Sequence, residues 1–149
     1  MNICLLGNNL TNLVLANILL KKRINVDIIS STDPSLLTNS VRTIAISNEN
    51  YKFLVENIKG ISNLGWPTEK IKIYSDKNKS SELFEFKNRN QYNFYLLKYS
   101  AFFNLMNKNK HLNIIKLKNY NFNDIKKRDY NLIVNSEKNN LITKKYFQK

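Results

Sequence analysis

One glycine, Gly7, separates an apolar segment from a second apolar segment near the start of the chain. In a dinucleotide-binding turn, three spaced glycines permit a tight bend, admit the phosphates and let the helix pack against the strand. Gly7 occupies the first of these positions, whereas Asn9 and Asn12 occupy the second and third. The helix that follows such a turn offers free N–H groups to an anion. The spacing therefore predicts a phosphate-binding turn that two asparagines impair.

The two asparagines should weaken this turn for different reasons. Asn9 tolerates a left-handed backbone better than most residues, but its side chain occupies space that phosphates would need. Asn12 should hold the helix and the strand apart, and overpacking of this kind costs about 1–3 kcal/mol. On the spacing alone, a βαβ unit that binds no cofactor is therefore the better interpretation of Gly7.

Few other residues have the type or spacing for catalysis or metal binding. The sequence has one histidine, His111, so neither a zinc site nor a Ser-His-Asp arrangement has support. Its one cysteine, Cys4, permits no internal disulfide, which favours a reducing cytoplasmic setting. The thiol is better explained as a small core side chain than as a reactive group. We therefore predict no catalytic side chain and no metal ligand.

The residues on either side of Gly7 predict a βαβ unit. Its parts are a strand at Asn2–Leu6, a helix at Leu10–Lys22 and a strand at Asn25–Ile29. The first strand is apolar throughout, as strands buried on both faces of a parallel sheet are. The basic residues at 21–23 suit the negative end of the helix dipole. A βαβ crossover is right-handed and places the glycine turn at the carboxyl edge of the sheet.

A short segment at 42–47 leads into a second predicted helix, which reaches Ile58. Ser47 or Asn48 serves as its N-cap, because a short polar side chain satisfies an N–H group of the first turn. After this helix, Gly60 and Pro67 belong to a predicted loop.

The loop contains Trp66 as an anchor, and the pattern changes after it. Apolar and polar residues alternate over short stretches, which predicts antiparallel strands rather than further βαβ units. The predicted segments are strands at Ile71–Ile73, Leu83–Phe86 and Phe94–Leu97, a helix from Tyr99, strands at Leu112–Leu117 and Tyr130–Val134, and a helical tail at Leu141–Lys149.

These elements predict an α/β fold, namely a Rossmann-like domain with a parallel central sheet and a short antiparallel β segment. A chain of 149 residues is long enough for one domain with a real core. Within that single domain, residues 1–69 and 99–149 form the predicted nucleotide-binding part. Residues 70–98 form the antiparallel strands.

The net charge of +13 would suit nucleic acid or an anionic membrane surface. The lysines are scattered, however, and glycine and proline are scarce, as in proteins encoded by AT-rich DNA. The run from Lys87 to Tyr95 interleaves basic and aromatic residues, as sheets that bind single strands do, but it lacks the glycines of the RNA-recognition motif. Nucleic acid is therefore the weaker hypothesis.

The longest apolar stretch, Leu13–Leu20, is interrupted by Asn17 and is too short to span a bilayer. Its positive charges follow the apolar run instead of preceding it, which argues against a signal peptide. We therefore expect a cytoplasmic protein with, at most, peripheral membrane contact.

Three segments together resemble a known family. They are Asn2–Ile29, then Arg42-Thr43-Ile44-Ala45-Ile46-Ser47, and finally Tyr130–Val134 followed by Glu137. The chain is similar to the N-terminal portion of the FAD-dependent aromatic hydroxylases of ubiquinone biosynthesis, which are relatives of para-hydroxybenzoate hydroxylase. The segment at 42–47 is the most distinctive match.

The resemblance implies roles for particular residues around an FAD site. Gly7, Asn9 and Asn12 would take the positions of the dinucleotide turn. Ser30 would stand where the family has the acidic residue that binds the ADP ribose, with Asp33 as a nearby substitute.

The other implied positions concern the flavin end of the cofactor. Arg42 would be the flavin-contacting arginine. Glu137 would take the acidic place in the segment that bridges flavin and NAD(P)H, although the glycine of that segment is missing. Lys98 and Tyr99 replace a Glu-Asn pair of the family.

For function, the resemblance implies that reduced flavin reacts with oxygen and hydroxylates the ring of a polyprenylated aromatic substrate. NAD(P)H would be the reductant, and other ubiquinone-pathway proteins would be partners at the inner face of the membrane. The family's later substrate-domain segment and Gly-Asp motif have no counterpart here, so we expect an incomplete chain that is inactive alone. Two alternatives remain, a decayed or non-catalytic nucleotide-fold protein and a basic nucleic-acid-binding module.

Overall fold

The chain divides into two units in the computed structural model, which describes residues 1–31, 40–76, 81–87, 92–138 and 140–146. The first unit comprises Met1–Ser40 and Phe103–Lys149, and the second comprises Val41–Phe102. The second unit therefore includes residues 41–69 and 99–102, which the sequence analysis assigns to the nucleotide-binding part, together with residues 70–98.

The predicted elements occur in the predicted order with small differences at their ends, and a strand at Trp66–Thr68 and a helix at Phe122–Lys126 occur in addition. The strands are β1 (Asn2–Leu6), β2 (Asn25–Ser30), β3 (Thr43–Ser47), β4 (Trp66–Thr68), β5 (Lys70–Tyr74), β6 (Glu82–Lys87), β7 (Phe94–Lys98), β8 (Asn113–Lys116) and β9 (Leu132–Asn135). The helices are α1 (Leu10–Lys21), α2 (Asn48–Asn57), α3 (Tyr99–Asn107), α4 (Phe122–Lys126) and α5 (Leu141–Tyr146).

A four-stranded parallel sheet forms the centre of the first unit, in the order β8-β2-β1-β9. In its register, Ile3 of β1 lies opposite Val26 on one side and Leu132 on the other. The inner strands are largely buried, as strands covered on both faces are: all of β1 after Asn2 is buried and apolar, and Val26, Ile28, Ile29 and Ser30 of β2 are buried. The predicted α/β fold with a parallel sheet is confirmed.

Helix α1 connects β1 to β2 and packs against both strands. Leu13 and Ala16 are buried on its inner face, which fixes the helix against the sheet. The helix ends one residue before the predicted Lys22, whose N–H group donates to Ile18 and Leu19. Arg23 then adopts a left-handed backbone with φ of 61° and turns the chain into β2.

The core of the first unit includes a cluster formed by residues from the sheet and from α4 and α5. Its buried members are Cys4, Leu6, Ile29, Tyr120, Ile125 and Ile142. Helix α4 was not predicted, although Asn121 and Asp124 form a capping box at its start. That spacing was a usable signal. The predicted helical tail is confirmed up to Tyr146, and residues 147–149 lie outside the described residues.

Cys4 is a core residue, as predicted, and is fully buried. Burial, and secondarily the Asp27 carboxylate, raises the pKa of its thiol from 9.0 to about 12. Above pH 9.0 the unfolded thiol therefore loses its proton while the folded thiol keeps it, so folding stability falls as the pH rises through this window.

We expect this thiol to cost about 1 kcal/mol of stability when the pH is raised from about 8 to about 10. Urea unfolding of the wild type and Cys4→Ala at the two pH values measures the contribution, because the variant should lose less stability than the wild type. Equal losses in both proteins would show that the thiol does not cause the pH dependence.

The second unit contains a three-stranded antiparallel sheet in the order β3-β7-β4 and a two-stranded hairpin of β5 and β6. Helix α2 begins after Ser47, whose Oγ accepts a hydrogen bond from the Asn50 N–H group at 3.4 Å. Of the two predicted N-caps, Ser47 is therefore the one in use. The predicted antiparallel strands in this part of the chain are also confirmed.

Residues 66–68 were predicted as a loop, and this prediction was wrong. They form β4, which pairs with β7 so that Trp66 lies opposite Leu96. Pro67 is tolerated because β4 is an edge strand of its sheet. Trp66 is 64% exposed and therefore is not a buried anchor. Residues 88–91 of the basic aromatic run lie outside the described residues.

Candidate functional site

Gly7 directly follows β1 at the carboxyl edge of the parallel sheet. Its N–H group donates to the Ile29 carbonyl at 2.8 Å, and its φ of 104° lies in the left-handed region. A Cβ atom at this position would lie 3.0 Å from Cβ of Glu137 and 3.1 Å from Nδ2 of Asn9. Glycine is therefore required here both by backbone conformation and by space.

Asn9 is the N-cap of α1 and has an extended backbone, with φ of −123°. Its tolerance of left-handed conformations is thus not used. The side-chain Oδ1 accepts a hydrogen bond from the Asn12 N–H group at 3.0 Å. At the other end, Nδ2 donates to Oγ of Ser136 at 2.7 Å. One side chain therefore connects the start of the helix to the segment after β9.

Asn12 is only 1% exposed, and its side chain is hydrogen-bonded. Its Nδ2 donates to the carbonyl oxygens of Leu6 at 2.9 Å and Gly7 at 2.7 Å. The sequence suggested only that this residue would hold the helix and strand apart. The structure shows that it ties the first turn of α1 to the end of β1.

Asn8 lies between these residues and is 3% exposed. Neither Nδ2 nor Oδ1 of its amide has a hydrogen-bond partner within the part of the chain that the structure describes. An unsatisfied buried polar group costs about 1–3 kcal/mol, so a polar partner for Asn8 would stabilise the turn.

Ser30 is the last residue of β2 and is 1% exposed. Its carbonyl accepts a hydrogen bond from the Leu117 N–H group at 3.1 Å. The strand end at which the resemblance implies a ribose-binding carboxylate therefore carries a buried hydroxyl. Asp33, the suggested substitute, lies outside the described residues.

Glu137 follows β9 and packs beside Gly7. Its Oε2 accepts a hydrogen bond from the Tyr120 hydroxyl at 2.6 Å, and the Asn140 amide donates to that hydroxyl at 3.2 Å. Burial, followed by the bond to Glu137, raises the pKa of Tyr120, so the tyrosine remains a donor at neutral pH. The Glu137 side chain is therefore held in place next to the glycine turn.

Arg42 belongs to the second unit and is exposed. Its carbonyl accepts a hydrogen bond from the Tyr99 N–H group at 2.9 Å, and its guanidinium lies 5.9 Å from the centre of the Tyr99 ring. The structure thus brings Gly7, Asn9 and Glu137 together in the first unit, whereas Arg42 contacts Tyr99 within the second.

Sequence reasoning missed the residues that complete this site, chiefly Ser136, Tyr120 and Asn140. A shallow groove of about 330 Å³ lies at the end of β9. Ser136 and Glu137, which line it, also contact Asn9 and Gly7. The available signal was the pair Ser136-Glu137, which follows a predicted apolar strand at the same sheet edge as Gly7. The groove is lined by Asn135, Ser136, Glu137, Lys138 and Thr143.

The described residues contain neither a candidate metal site nor a candidate membrane-spanning helix. No group of three or more histidine, cysteine, aspartate or glutamate side chains there is arranged to hold a metal ion. None of the helices described above is long and apolar enough to cross a membrane.

Solved structures with a similar fold include FAD-dependent aromatic hydroxylases and monooxygenases. p-Nitrophenol 4-monooxygenase PnpA from Pseudomonas putida matches with a TM-score of 0.62 at 15% identity, over 80% of this chain and 33% of its own. 2,6-Dihydroxypyridine-3-hydroxylase from Arthrobacter nicotinovorans matches with a TM-score of 0.56 at 13% identity, over 76% and 28%. HpxO from Klebsiella pneumoniae, complexed with FAD and uric acid, matches with a TM-score of 0.54 at 12% identity, over 76% and 30%.

The chain therefore spans about a third of the length of the solved structures that it matches. No family model and no curated protein sequence matches it. At these identities the likeness establishes the fold, which is that of a part of FAD-dependent monooxygenases.

Proposed function

We propose that this chain is the nucleotide-binding portion of an FAD-dependent aromatic monooxygenase and that it holds the ADP part of FAD at the Gly7 turn. The observation that carries the proposal is the left-handed Gly7 between β1 and α1, in a parallel sheet whose fold matches FAD-dependent monooxygenases. In such folds the carboxyl edge of the sheet and the helix N-terminus bind the phosphates.

The main chain of the turn fits this cofactor better than its side chains do. Gly7 gives the main chain the left-handed bend that such a turn needs, and the buried amide of Asn8 is unsatisfied within the described residues. Two side chains oppose phosphate binding at this turn. The Asn9 side chain already accepts a hydrogen bond from the helix N-terminus, and the Glu137 carboxyl group lies nearby. We therefore expect FAD to bind weakly.

Within the proposed enzyme, FAD would supply the oxygen chemistry, and the residues of this chain would supply binding and electrostatics. The first turn of α1 would face the phosphates, and the Ser30 hydroxyl would stand near the ribose. By the family resemblance, Arg42 would contact the flavin, and Glu137 would lie between flavin and NAD(P)H.

The finer part of the proposal concerns the substrate. Because the segment Arg42–Ser47 resembles the ubiquinone-pathway hydroxylases, we propose that the substrate is a polyprenylated aromatic precursor of ubiquinone. NAD(P)H would be the reductant. Other ubiquinone-pathway proteins would be partners near the inner face of the membrane. Because the chain spans about a third of the matched structures, we propose that hydroxylation needs further parts of the fold and that this chain does not turn over alone.

A second candidate is a non-catalytic protein that retains the nucleotide fold without its cofactor. The specific observation in its favour is the end of β2, where the buried hydroxyl of Ser30 stands in place of a carboxylate. The two candidates differ in a directly measurable property, which is the affinity for FAD.

A titration of the purified chain with FAD, followed by flavin fluorescence, separates the candidates. We expect saturable binding with a Kd below about 1 mM, which corresponds to about −4 kcal/mol, and displacement of FAD by ADP. FMN is the matched control, because it lacks the AMP part of FAD and therefore both the adenosine and the diphosphate, and it should bind far more weakly. Absence of saturable FAD binding, or equal binding of FMN, would favour the non-catalytic protein.

A further inference from the structure

We infer that Asn9 is an intramolecular latch on the Gly7 turn, and that its side chain competes with the diphosphate of a dinucleotide for the start of α1. The inference rests on the proposed function, since it concerns the same turn. In addition to the proposed function, we infer that the Asn9 side chain lowers the affinity for a diphosphate at a turn whose main chain already has the conformation for binding.

The first argument concerns the donor that a phosphate would use. The N–H groups of the first turn of a helix have no partner within the helix, and these groups bind anions. At α1, the N–H group of Asn12 already donates to Oδ1 of Asn9 at 3.0 Å. A diphosphate at this position must therefore replace the Asn9 amide as the acceptor.

The second argument concerns how the Asn9 side chain is held. Its Nδ2 donates to Oγ of Ser136 at 2.7 Å, and the Ser136 N–H group in turn donates to the Leu6 carbonyl at 3.2 Å. The amide is thus fixed at both ends, between the helix start and the segment after β9. Because Ser136 is exposed, water can replace this bond, and the latch can open when a ligand arrives.

The third argument concerns what lies behind the latch. The first turn of α1 has no acidic side chain of its own, so the positive end of the helix dipole is opposed from outside the helix, where Glu137 packs beside Gly7 and accepts a hydrogen bond from Tyr120. The buried amide of Asn8 also remains unsatisfied. Removal of the Asn9 side chain would therefore expose a helix start that still attracts an anion.

The test compares ADP and FAD binding to the wild type, Asn9→Gly and Ser136→Ala by calorimetry. Glycine is a tolerated N-cap residue, so the first variant should fold. We expect Asn9→Gly to bind both ligands about tenfold more tightly, because no side chain must be displaced. Ser136→Ala frees one end of the latch and should tighten binding by a smaller factor. Asn107→Ala is the matched control and should leave both affinities unchanged, because the Asn107 amide donates to the Phe103 carbonyl within α3.

The outcomes separate the latch from the proposed function. If the wild type binds FAD and neither variant binds more tightly, the latch is refuted while the proposed function stands. If Asn9→Gly binds and the wild type does not, the latch is supported in its strongest form. If no protein binds ADP or FAD, both proposals are refuted. If Asn9→Gly does not fold, Ser136→Ala decides, and an unchanged affinity in that variant refutes the latch.

Discussion

Replacing Asn12 with alanine is expected to lower the free energy of unfolding of the first unit by about 3 kcal/mol. The substitution removes the two hydrogen bonds that Nδ2 donates to the carbonyls of Leu6 and Gly7. It leaves these buried acceptors without that donor, and it opens a small cavity at a residue that is 1% exposed. Urea unfolding followed by circular dichroism measures the loss.

The control for this prediction is Asn107→Ala. The Asn107 amide donates one hydrogen bond to the Phe103 carbonyl and is only partly buried, so its loss should cost less than about 1 kcal/mol. Comparable losses in the two variants would contradict the role assigned to Asn12. The two asparagines of the turn should therefore differ in the effect of replacement by glycine. Asn9→Gly should tighten nucleotide binding, whereas Asn12→Gly should lower the free energy of unfolding.

Replacing Gly65 with alanine is expected to destabilise the second unit by about 2–3 kcal/mol, because it overpacks a contact with an aromatic ring. A Cβ at Gly65 would lie 2.5 Å from the Tyr51 hydroxyl oxygen and 2.6 Å from two ring carbons. The ring cannot easily move away. It stacks on Tyr95 at 3.7 Å, and its hydroxyl donates to the carbonyls of Ile61 and Ser62.

A double-mutant cycle with Tyr51→Leu tests whether the clash is the cause. The smaller side chain at position 51 should remove most of the additional cost of Gly65→Ala, so the two substitutions should couple favourably. Thermal unfolding of the wild type, both single variants and the double variant supplies the four values. If the costs are merely additive, the ring is not what opposes a side chain at position 65.

The elements that could be predicted are those whose signals are local. The apolar run of β1, the glycine after it and the cap of α2 at Ser47 each lie within a few residues of the element they specify. Strand β4 could not be predicted in this way. Trp66–Thr68 has no alternating pattern of its own, and it becomes a strand only because β7 provides a partner.

The candidate site shows the same division between local and distant information. The position of Gly7 and the obstruction by Asn9 follow from spacing within one turn. The hydrogen bond from Asn9 to Ser136 joins residues 127 positions apart, and no local pattern indicates it. The role of Tyr120 could not be predicted from the sequence either, because only the fold places its hydroxyl within hydrogen-bond distance of Glu137.

The latch across the turn consists of amide and hydroxyl groups, from Asn9, Asn12 and Ser136. None of these groups carries a charge, so mobile ions scarcely alter the interaction that keeps the turn closed. The attraction of the helix start for a diphosphate is electrostatic and is screened by salt. The competition between the resident amide and an incoming diphosphate is therefore set by ionic strength, and dilute buffer favours the open, ligand-bound turn.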